Sequence, residues 1–362
     1  MTLKIGVLGA GFIVPQHLAA YSQWPEVEVV AIASPDAASR DSMGREFGIQ
    51  RTYEDYTTLL ENETLDIVDV SLPTYLHHGA VIKAFERGAH VILEKPIALN
   101  RGQAVEMIQL AEQAHRAFYV SLSQRFVPEH QRVRELVNAG AIGKPLYFHL
   151  SEIQDAFGRL NDPNHWFGTW DQGGGGTMME TGTHLVDLIC YICGKVEAVT
   201  AVERQVWARQ PGKGDDLAIL VLECANGVLA ELTIYSVAVA SPTEHKPKNF
   251  YGTRGSLHVD LDDNVSDHLV RWSIAEQEEA RNFAEKRLQK EVIDLPQDDR
   301  WQPRGYAQWW ERSVQSSVHH FVEHVVRGRP LLVTPSDALA ALDIVQAAYQ
   351  SSRNHQRVSL PS

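Results

Sequence analysis

The chain has 362 residues, enough for two domains of ordinary size and at most three. Hydrophobic residues make up 44% and charged residues 22%, a globular balance that excludes disordered, collagen-like and fibrous chains. A net charge of −13 at pH 7 repels phosphate backbones, so neither nucleic acid nor an anionic membrane is an expected partner.

The N-terminus, Met1-Thr2-Leu3-Lys4-Ile5, lacks a basic stretch followed by a long apolar run, and no window of about 18 residues is uninterruptedly apolar. Neither a signal peptide nor a membrane span is expected. Lys4 to Leu8 reads as a strand and Phe12 to Ser22 as a helix stopped by Trp24-Pro25. Further strands are expected at Val27 to Ala33, Asp66 to Leu72, His90 to Leu93 and Phe118 to Leu122. Helices at Gly79 to Arg87 and Arg101 to His115 lie between the later ones. Strands alternating with helices of about a dozen residues predict a parallel, doubly wound Rossmann sheet.

From about residue 145 the pattern changes. Strands are expected at Leu146 to Ile153, Ala198 to Gln205, Leu217 to Cys224, Val228 to Tyr235, Lys248 to Tyr251 and Ser256 to Leu261, with few helices between. Asn226-Gly227 is a strong hairpin signal. This half predicts an α+β domain with an open, mostly antiparallel sheet. The charged stretch Glu276 to Lys290 reads as a solvated helix, and Pro335 to Arg353 as a helix started by Thr334-Pro335-Ser336-Asp337. The division falls near residue 123, with the α/β domain over 1–122 and the α+β domain over 123–362. The last helix, about 335–353, is a candidate to pack back on the first domain.

Gly9-Ala10-Gly11 follows the first strand and opens the first helix. Gly9 allows a tight turn, Gly11 lets backbone approach a pyrophosphate, and the helix N-terminus offers free N–H groups and a positive dipole end. Val14 stands where the third glycine of G-x-G-x-x-G would be. The second strand ends at Ser34 rather than an acidic residue, with Pro35-Asp36 and Arg40 following. A serine with a nearby arginine accommodates a 2′-phosphate, so the cofactor is NAD or NADP with a slight lean to NADP. Glu94-Lys95-Pro96 closes the His90 to Leu93 strand. A lysine there is a fixed cation able to hydrogen-bond a substrate hydroxyl and lower its pKa. The alternative is a surface Glu-Lys pair that happens to precede a proline. Pro73-Thr74 similarly ends the Asp66 to Leu72 strand and lines the cofactor groove, with His77 and His78 just beyond.

These motifs together, Gly9-Ala10-Gly11-Phe12-Ile13-Val14-Pro15-Gln16-His17, Pro73-Thr74 and Glu94-Lys95-Pro96, resemble the Gfo/Idh/MocA oxidoreductases. Gln124-Arg125-Phe126, Gly140 to Pro145, Gly173 to Gly176 with Glu180, His184 and Asp187, and Tyr251 to Ser256 extend the likeness from about residue 4 to about 358. The resemblance implies a dinucleotide-binding domain over 1–122, a substrate-binding and oligomerisation domain over 123–362, a bound nicotinamide dinucleotide and sugar or cyclitol substrates. It implies a cofactor-binding set of Gly9, Gly11, Phe12, Ile13, Ser34, Arg40, Pro73, Thr74, His77, Glu94, Lys95, Pro96 and Arg125.

Glu180 and His184 are four residues apart, so on a helix they share a face. A carboxylate beside an imidazole orients the ring and stabilises its charged form, which suits proton transfer. In the family the histidine is the usual acid/base, and the carboxylate is commonly Asp where this chain has Glu180. Asp187, on the following turn, is a second candidate brace for His184. The competing readings are a purely structural Glu–His bond and a metal site. No third ligand is evident, and no metal is expected. Cys190 and Cys193 form a C-x-x-C on an apolar helix without a second pair, which reads as buried rather than redox-active or zinc-binding. Three cysteines cannot all pair, which fits a reducing cytoplasm. Trp166, Phe167 and Trp170 offer faces for sugar C–H surfaces, with loop packing as the alternative. Asp171 stands where many relatives carry an arginine, which argues against an anionic substrate.

The expected activity is hydride transfer between nicotinamide and a secondary alcohol or ketone of a sugar, cyclitol or related polyol. Lys95, His184 and Glu180 are the catalytic candidates, and Lys95, Trp166, Trp170, Glu180 and His184 the substrate-binding ones. The alternatives are a non-catalytic cofactor-binding regulator and a glycosidase working by transient oxidation. Family likeness and an open sheet face imply a homodimer or homotetramer.

Overall fold

A computed structural model of the chain describes residues 2–207, 210–238, 247–261, 268–274, 288–293, 295 and 308–361. Two compact units result, one built from 1–126, 169–174 and 299–342, the other from 127–168, 175–298 and 343–362. Each is discontinuous in sequence, unlike a single cut near residue 123.

In the first unit, strands β1 (Leu3–Leu8), β2 (Val27–Ala33), β3 (Arg51–Tyr53), β4 (Ile67–Val70), β5 (His90–Glu94) and β6 (Phe118–Ser121) form one sheet. Its order is β3-β2-β1-β4-β5-β6, with every pair parallel. A parallel sheet is covered on both faces, which is why these strands are nearly continuous apolar runs. Ile5, Val7, Leu8, Ile32, Ile67, Val91 and Ile92 are all buried. The doubly wound expectation is met, and the strands match their predicted spans to within a residue or two. β3 was not foreseen: it has three residues and no buried one, so it carries little apolar signal.

Side-chain caps start three of the helices between these strands. Asp36 accepts from Ala38 N and Ser39 N before Ala37–Phe47, Asp55 from Thr58 N before Tyr56–Asn62, and Asn100 from Gln103 N before Arg101–Ala114. The helix expected from Gly79 begins five residues earlier, at Thr74, because Pro73 supplies a preset φ of −56° at its start. A helix that periodicity did not reveal, Gln308–Arg327, joins this unit by docking on Val14–Tyr21. Gln16 bonds to both Glu311 and Gln315 across that contact.

The second unit is built on a nine-stranded sheet. Its strands are β7 (Pro145–Ile153), β8 (Val196–Arg204), β9 (Leu217–Cys224), β10 (Leu229–Tyr235), β11 (Lys248–Gly252), β12 (Gly255–Val259), β13 (Leu269–Ile274), β14 (Leu288–Val292) and β15 (Val358–Ser359). The order is β14-β13-β12-β11-β7-β10-β9-β8-β15. All pairs are antiparallel except β7 with β10. Gly227, at φ +85°, closes the β9–β10 hairpin where Asn226-Gly227 predicts it. The helix expected over 276–290 lies mostly outside the described residues; its last three belong to β14.

One face of this sheet is apolar and buried, with the helix Gly182–Cys193 packed on β10. The other face presents Tyr147, Val202, Ile219, Val221, Leu229 and Tyr251, all exposed. Strand alternation puts these six on the same side, because Tyr251 pairs with Tyr147, Tyr147 with Leu229 and Ile219 with Val202.

Candidate active site

In a parallel sheet all strands end at the same edge, and a ligand crevice forms where the strand order reverses. Here the reversal lies between β1 and β4. The loops leaving β1, β2, β4 and β5 carry Gly9 to Ile13, Ser34, Ser71 to Thr74 and Glu94 to Pro96. The first unit therefore gathers nearly all of the predicted cofactor residues along one edge.

Gly9 has φ +112°, and a Cβ there would lie 2.1 Å from the carbonyl oxygen of Ser71. Only glycine lets the β1 turn press this closely on the β4 turn. A Cβ on Gly11 would meet nothing within 4 Å, so the backbone there is open to a ligand. The helix Val14–Tyr21 follows, and no side chain caps its N-terminus. Phe12 is 62% exposed and stacks on Trp310 at 5.0 Å. Thr74 is 2% exposed, yet its hydroxyl has no hydrogen-bond partner among the described residues. A buried hydroxyl without a partner is costly, and a cofactor group is a ready acceptor or donor for it. Open glycine backbone, an uncapped helix start and this hydroxyl fit a dinucleotide.

Ser34 is buried, and its carbonyl accepts from Arg40 Nη1 at 3.0 Å; Arg40 Nε pairs with Asp41. Asp36 spends its carboxylate on Ala38 N, Ser39 N and Ser39 Oγ. Those bonds, the Ser39 hydroxyl first, hold Asp36 below the usual carboxylate range.

The Lys95–Pro96 peptide is cis, and Lys95 is half-buried. His77 lies behind this turn, fully enclosed, with Nδ1 3.0 Å from Pro96 O and Nε2 2.8 Å from Leu72 O. Burial first, then Lys95, lower its pKa against the pull of those carbonyls. The neutral ring has one N–H and donates to one of these two carbonyls. Arg125 is buried at the end of the same sheet, bonded to Leu332 O at 3.1 Å and paired with Asp337 at 3.1 Å.

Residues with chemistry that the motif reading left without a role complete this edge. His17 is fully buried, with Nδ1 2.7 Å from Asp69 Oδ2 and Nε2 3.3 Å from Glu94 Oε1. Asp69 also accepts from Tyr21 OH and Ser71 Oγ, each at 2.7 Å. Burial opposes charge on the ring, but Asp69 and Glu94 outweigh it and lift the His17 pKa to about 10. The only sequence signal was a histidine in the glycine motif and an aspartate inside an apolar strand.

In the second unit, the glycine-rich segment packs against residues far away in sequence. A Cβ on Gly176 would lie 1.9 Å from Asp215 O, and one on Gly175 would lie 2.2 Å from Tyr349 OH. Asp215 accepts from Gly176 N at 3.2 Å, Met178 N at 2.8 Å and Tyr349 OH at 2.6 Å. It thereby caps the short helix Thr177–Glu180, which ends in the buried Glu180. Burial pushes the Asp215 pKa up to about 7 against these bonds. Thr181 then interrupts the helix, and Gly182–Cys193 begins with His184 in its first turn. Glu180 and His184 therefore sit on two abutting helical segments rather than on the single helix that their spacing predicts. Asp187 is buried on the second of these.

Trp166 lies in the second unit, packed on the cluster of Ala156, Leu160, Phe167 and Val237. Trp170 lies in a segment of the first unit and is exposed. Lys213 anchors the Trp166 loop, its ammonium donating to the carbonyls of His165 at 2.5 Å and Phe167 at 2.8 Å. Among the described residues no group of three or more His, Cys, Asp or Glu could hold a metal.

Two family models match the chain. The NAD-binding Rossmann fold of the oxidoreductase family matches residues 3–122, and its C-terminal alpha/beta domain matches 134–360. The chain belongs to the Gfo/Idh/MocA oxidoreductase family.

Relatives of this Gfo/Idh/MocA chain include the levoglucosan dehydrogenase of Pseudarthrobacter phenanthrenivorans, 26% identical over 70% of this chain and 73% of the relative. The D-apiose dehydrogenase of Paraburkholderia graminis is 26% identical over 99% of this chain and 90% of its own. The myo-inositol 2-dehydrogenase of Thermotoga maritima is 24% identical over 99% and 98%. The solved structure of levoglucosan dehydrogenase with NADH and levoglucosan covers all of both chains at a TM-score of 0.85 and 22% identity. An oxidoreductase from Agrobacterium radiobacter, solved with NAD+, L-tartaric acid and magnesium, aligns over 99% of this chain and 98% of its own, at 0.80 and 22%. This chain is accordingly an oxidoreductase with an NAD-binding Rossmann domain, as the motifs implied.

Proposed function

We propose that the protein transfers hydride between a nicotinamide cofactor and a secondary alcohol or ketone of an uncharged sugar, cyclitol or related polyol. The observation that carries this is the first unit's carboxyl edge, where the Gly9–Gly11 turn, the Thr74 hydroxyl (without a partner among the described residues) and Lys95 lie on neighbouring loops at the strand reversal. The sugar and cyclitol substrates of the named relatives support the substrate class.

The nicotinamide supplies or accepts the hydride when bound. Gly9, Gly11, Phe12 and Ile13 receive the pyrophosphate, with Pro73, Thr74, His77, Glu94, Pro96 and Arg125 shaping the rest of the groove. Lys95 donates a hydrogen bond to the reacting oxygen and stabilises negative charge that develops there. His184 takes the hydroxyl proton in oxidation and returns it in reduction, and Glu180 orients the imidazole or a second hydroxyl. Trp166 and Trp170 form apolar walls for the sugar. Arg40 beside Ser34 favours a 2′-phosphate, and Asp36 is occupied by its own helix, so NADP is placed ahead of NAD.

The exposed apolar face of the nine-stranded sheet supports a homodimer or homotetramer. Three cysteines free of disulfides support a reducing compartment, the cytoplasm. No described helix is long and apolar enough to cross a membrane.

A panel of sugars, cyclitols and polyols with NAD and with NADP, read by nicotinamide absorbance, tests the reading. Turnover of at least one neutral polyol is expected. Cofactor binding without turnover of any would favour a regulator, and net hydrolysis without net change in cofactor would favour a glycosidase.

A further inference from the structure

We propose that His17 is a positioning residue for Lys95, acting through Glu94. This rests on the role given to Lys95 above. His17 stands on the helix that begins just after the glycine turn, and its ring is fully enclosed. One ring nitrogen meets Asp69 in the middle of the sheet, on β4. The other meets Glu94, the last residue of β5 and the one covalently joined to Lys95.

Asp69 is itself fixed. Tyr21, four residues after His17 on the same helix, donates to Asp69 Oδ2, and Ser71 donates to Oδ1. The imidazole therefore has an anchored carboxylate on one side and the reactive turn on the other. His77 Nδ1 lies 3.0 Å from the carbonyl of Pro96, the residue after Lys95. Lys95 extends from a backbone held just before it by the His17–Glu94 pair, with the enclosed His77 ring packed just after it.

Burying a charged pair costs desolvation that an apolar residue of similar volume avoids, so its return lies in geometry rather than stability. Held by a hydrogen bond to Asp69 and an ion pair with Glu94, the imidazole fixes a helix, β4 and the end of β5 at one spacing. Apolar packing would allow the turn to slide. Catalytic groups tolerate little of that, since displacement of about 1 Å can cost on the order of 100-fold in rate. Asp69 and Glu94 keep the ring charged across the ordinary pH range, so the clamp is permanent rather than a switch.

The test compares His17→Gln, Glu94→Ala and the double variant in the full-length protein. It measures kcat, KM, cofactor Kd and Tm, and the rate at which an amine-specific acylating reagent modifies Lys95, followed by mass spectrometry. A fall in kcat of about 10- to 100-fold at saturating cofactor is expected in each single variant; cofactor Kd should change less than about threefold in His17→Gln, whereas Glu94 itself lines the cofactor groove and its variants are judged by kcat and Lys95 labelling. The double variant should be no worse than the poorer single one, because both changes cut the same link. Lys95 labelling should change in the same direction in both single variants, and this reading needs no substrate. Additive losses, a defect confined to Tm or cofactor Kd, or labelling at the wild-type rate would each overturn the proposal. If His17→Gln does not fold, Glu94→Ala against Glu94→Gln decides. Glutamine still reaches His17 and should restore part of the loss; equal loss in both refutes the clamp. Lys95→Ala separates the two levels: full activity there defeats the functional reading itself, whereas an inactive Lys95→Ala beside fully active His17 and Glu94 variants defeats only the clamp.

Discussion

Nδ1 of His17 lies 2.7 Å from Oδ2 of Asp69, and neither side chain is exposed to solvent. This buried pair joins the helix of the glycine motif to the centre of the parallel sheet. Because the pKa of His17 is raised from 6.5 to about 10, the folded protein binds this proton more tightly than the unfolded chain does. The resulting stability is fully present below about pH 6.5 and is lost as pH rises through about 10. Thermal unfolding followed from pH 6 to above pH 10, in wild type and in His17→Gln, checks this. The wild-type Tm should fall more steeply than the variant's; parallel curves would contradict a charged His17. Asp69→Asn, which leaves the buried imidazolium short of its closest carboxylate, should cost about 3–5 kcal/mol.

Lys95→Ala and His184→Ala should each lower kcat by about 100-fold or more, the usual scale for a positioned acid–base group. Stopped-flow measurement of hydride transfer, with cofactor affinity determined separately, distinguishes lost chemistry from lost binding. Turnover near the wild-type rate in either variant contradicts the assignment.

Arg40 bonds to the Ser34 carbonyl just past β2, and the proposed reading gives it an adenosine 2′-phosphate to contact. Arg40→Ala should lower kcat/KM for the NADP couple by about tenfold, the worth of one lost charge-assisted bond, and leave the NAD couple little changed. Equal effects on both cofactors, or a wild-type enzyme that prefers NAD, would remove Arg40 from this role.

Tyr349 OH donates to Asp215, and that carboxylate caps the helix ending in Glu180. Tyr349→Phe should destabilise the fold by about 1–3 kcal/mol, because a buried carboxylate loses a donor. It should also lower kcat, since the displaced element carries Glu180, a catalytic and substrate-binding candidate. Denaturant unfolding and steady-state kinetics check the two halves, and a variant with unchanged kcat would confine Asp215 to a structural role.

Val221→Arg, on the exposed sheet face, should shift the protein toward smaller species in light scattering while its pocket chemistry is retained. An arginine in a packed apolar interface must be desolvated without a partner. An unchanged assembly size would show that this face is not the interface.

The amino-acid sequence determined the strand-and-helix alternation of the first unit, the glycine turn, the Asn226–Gly227 hairpin and the position of Lys95 at a strand end. Each depends on neighbours in sequence: apolar runs of period two or 3.6, or a backbone angle that only glycine tolerates. The shortest strands, Arg51–Tyr53 and Val358–Ser359, were illegible because two or three residues carry no period. Tertiary structure alone decided which distant residues meet. His17, Asp69 and Glu94 lie far apart along the chain and are brought together by parallel pairing of β1, β4 and β5. Asp215 and Tyr349 explain Gly175 and Gly176 only once the segment leading into β9 and the helix Pro335–Asn354 close on them. Long-range contacts of this kind follow from which strands pair and which helices dock, and no local pattern encodes that choice.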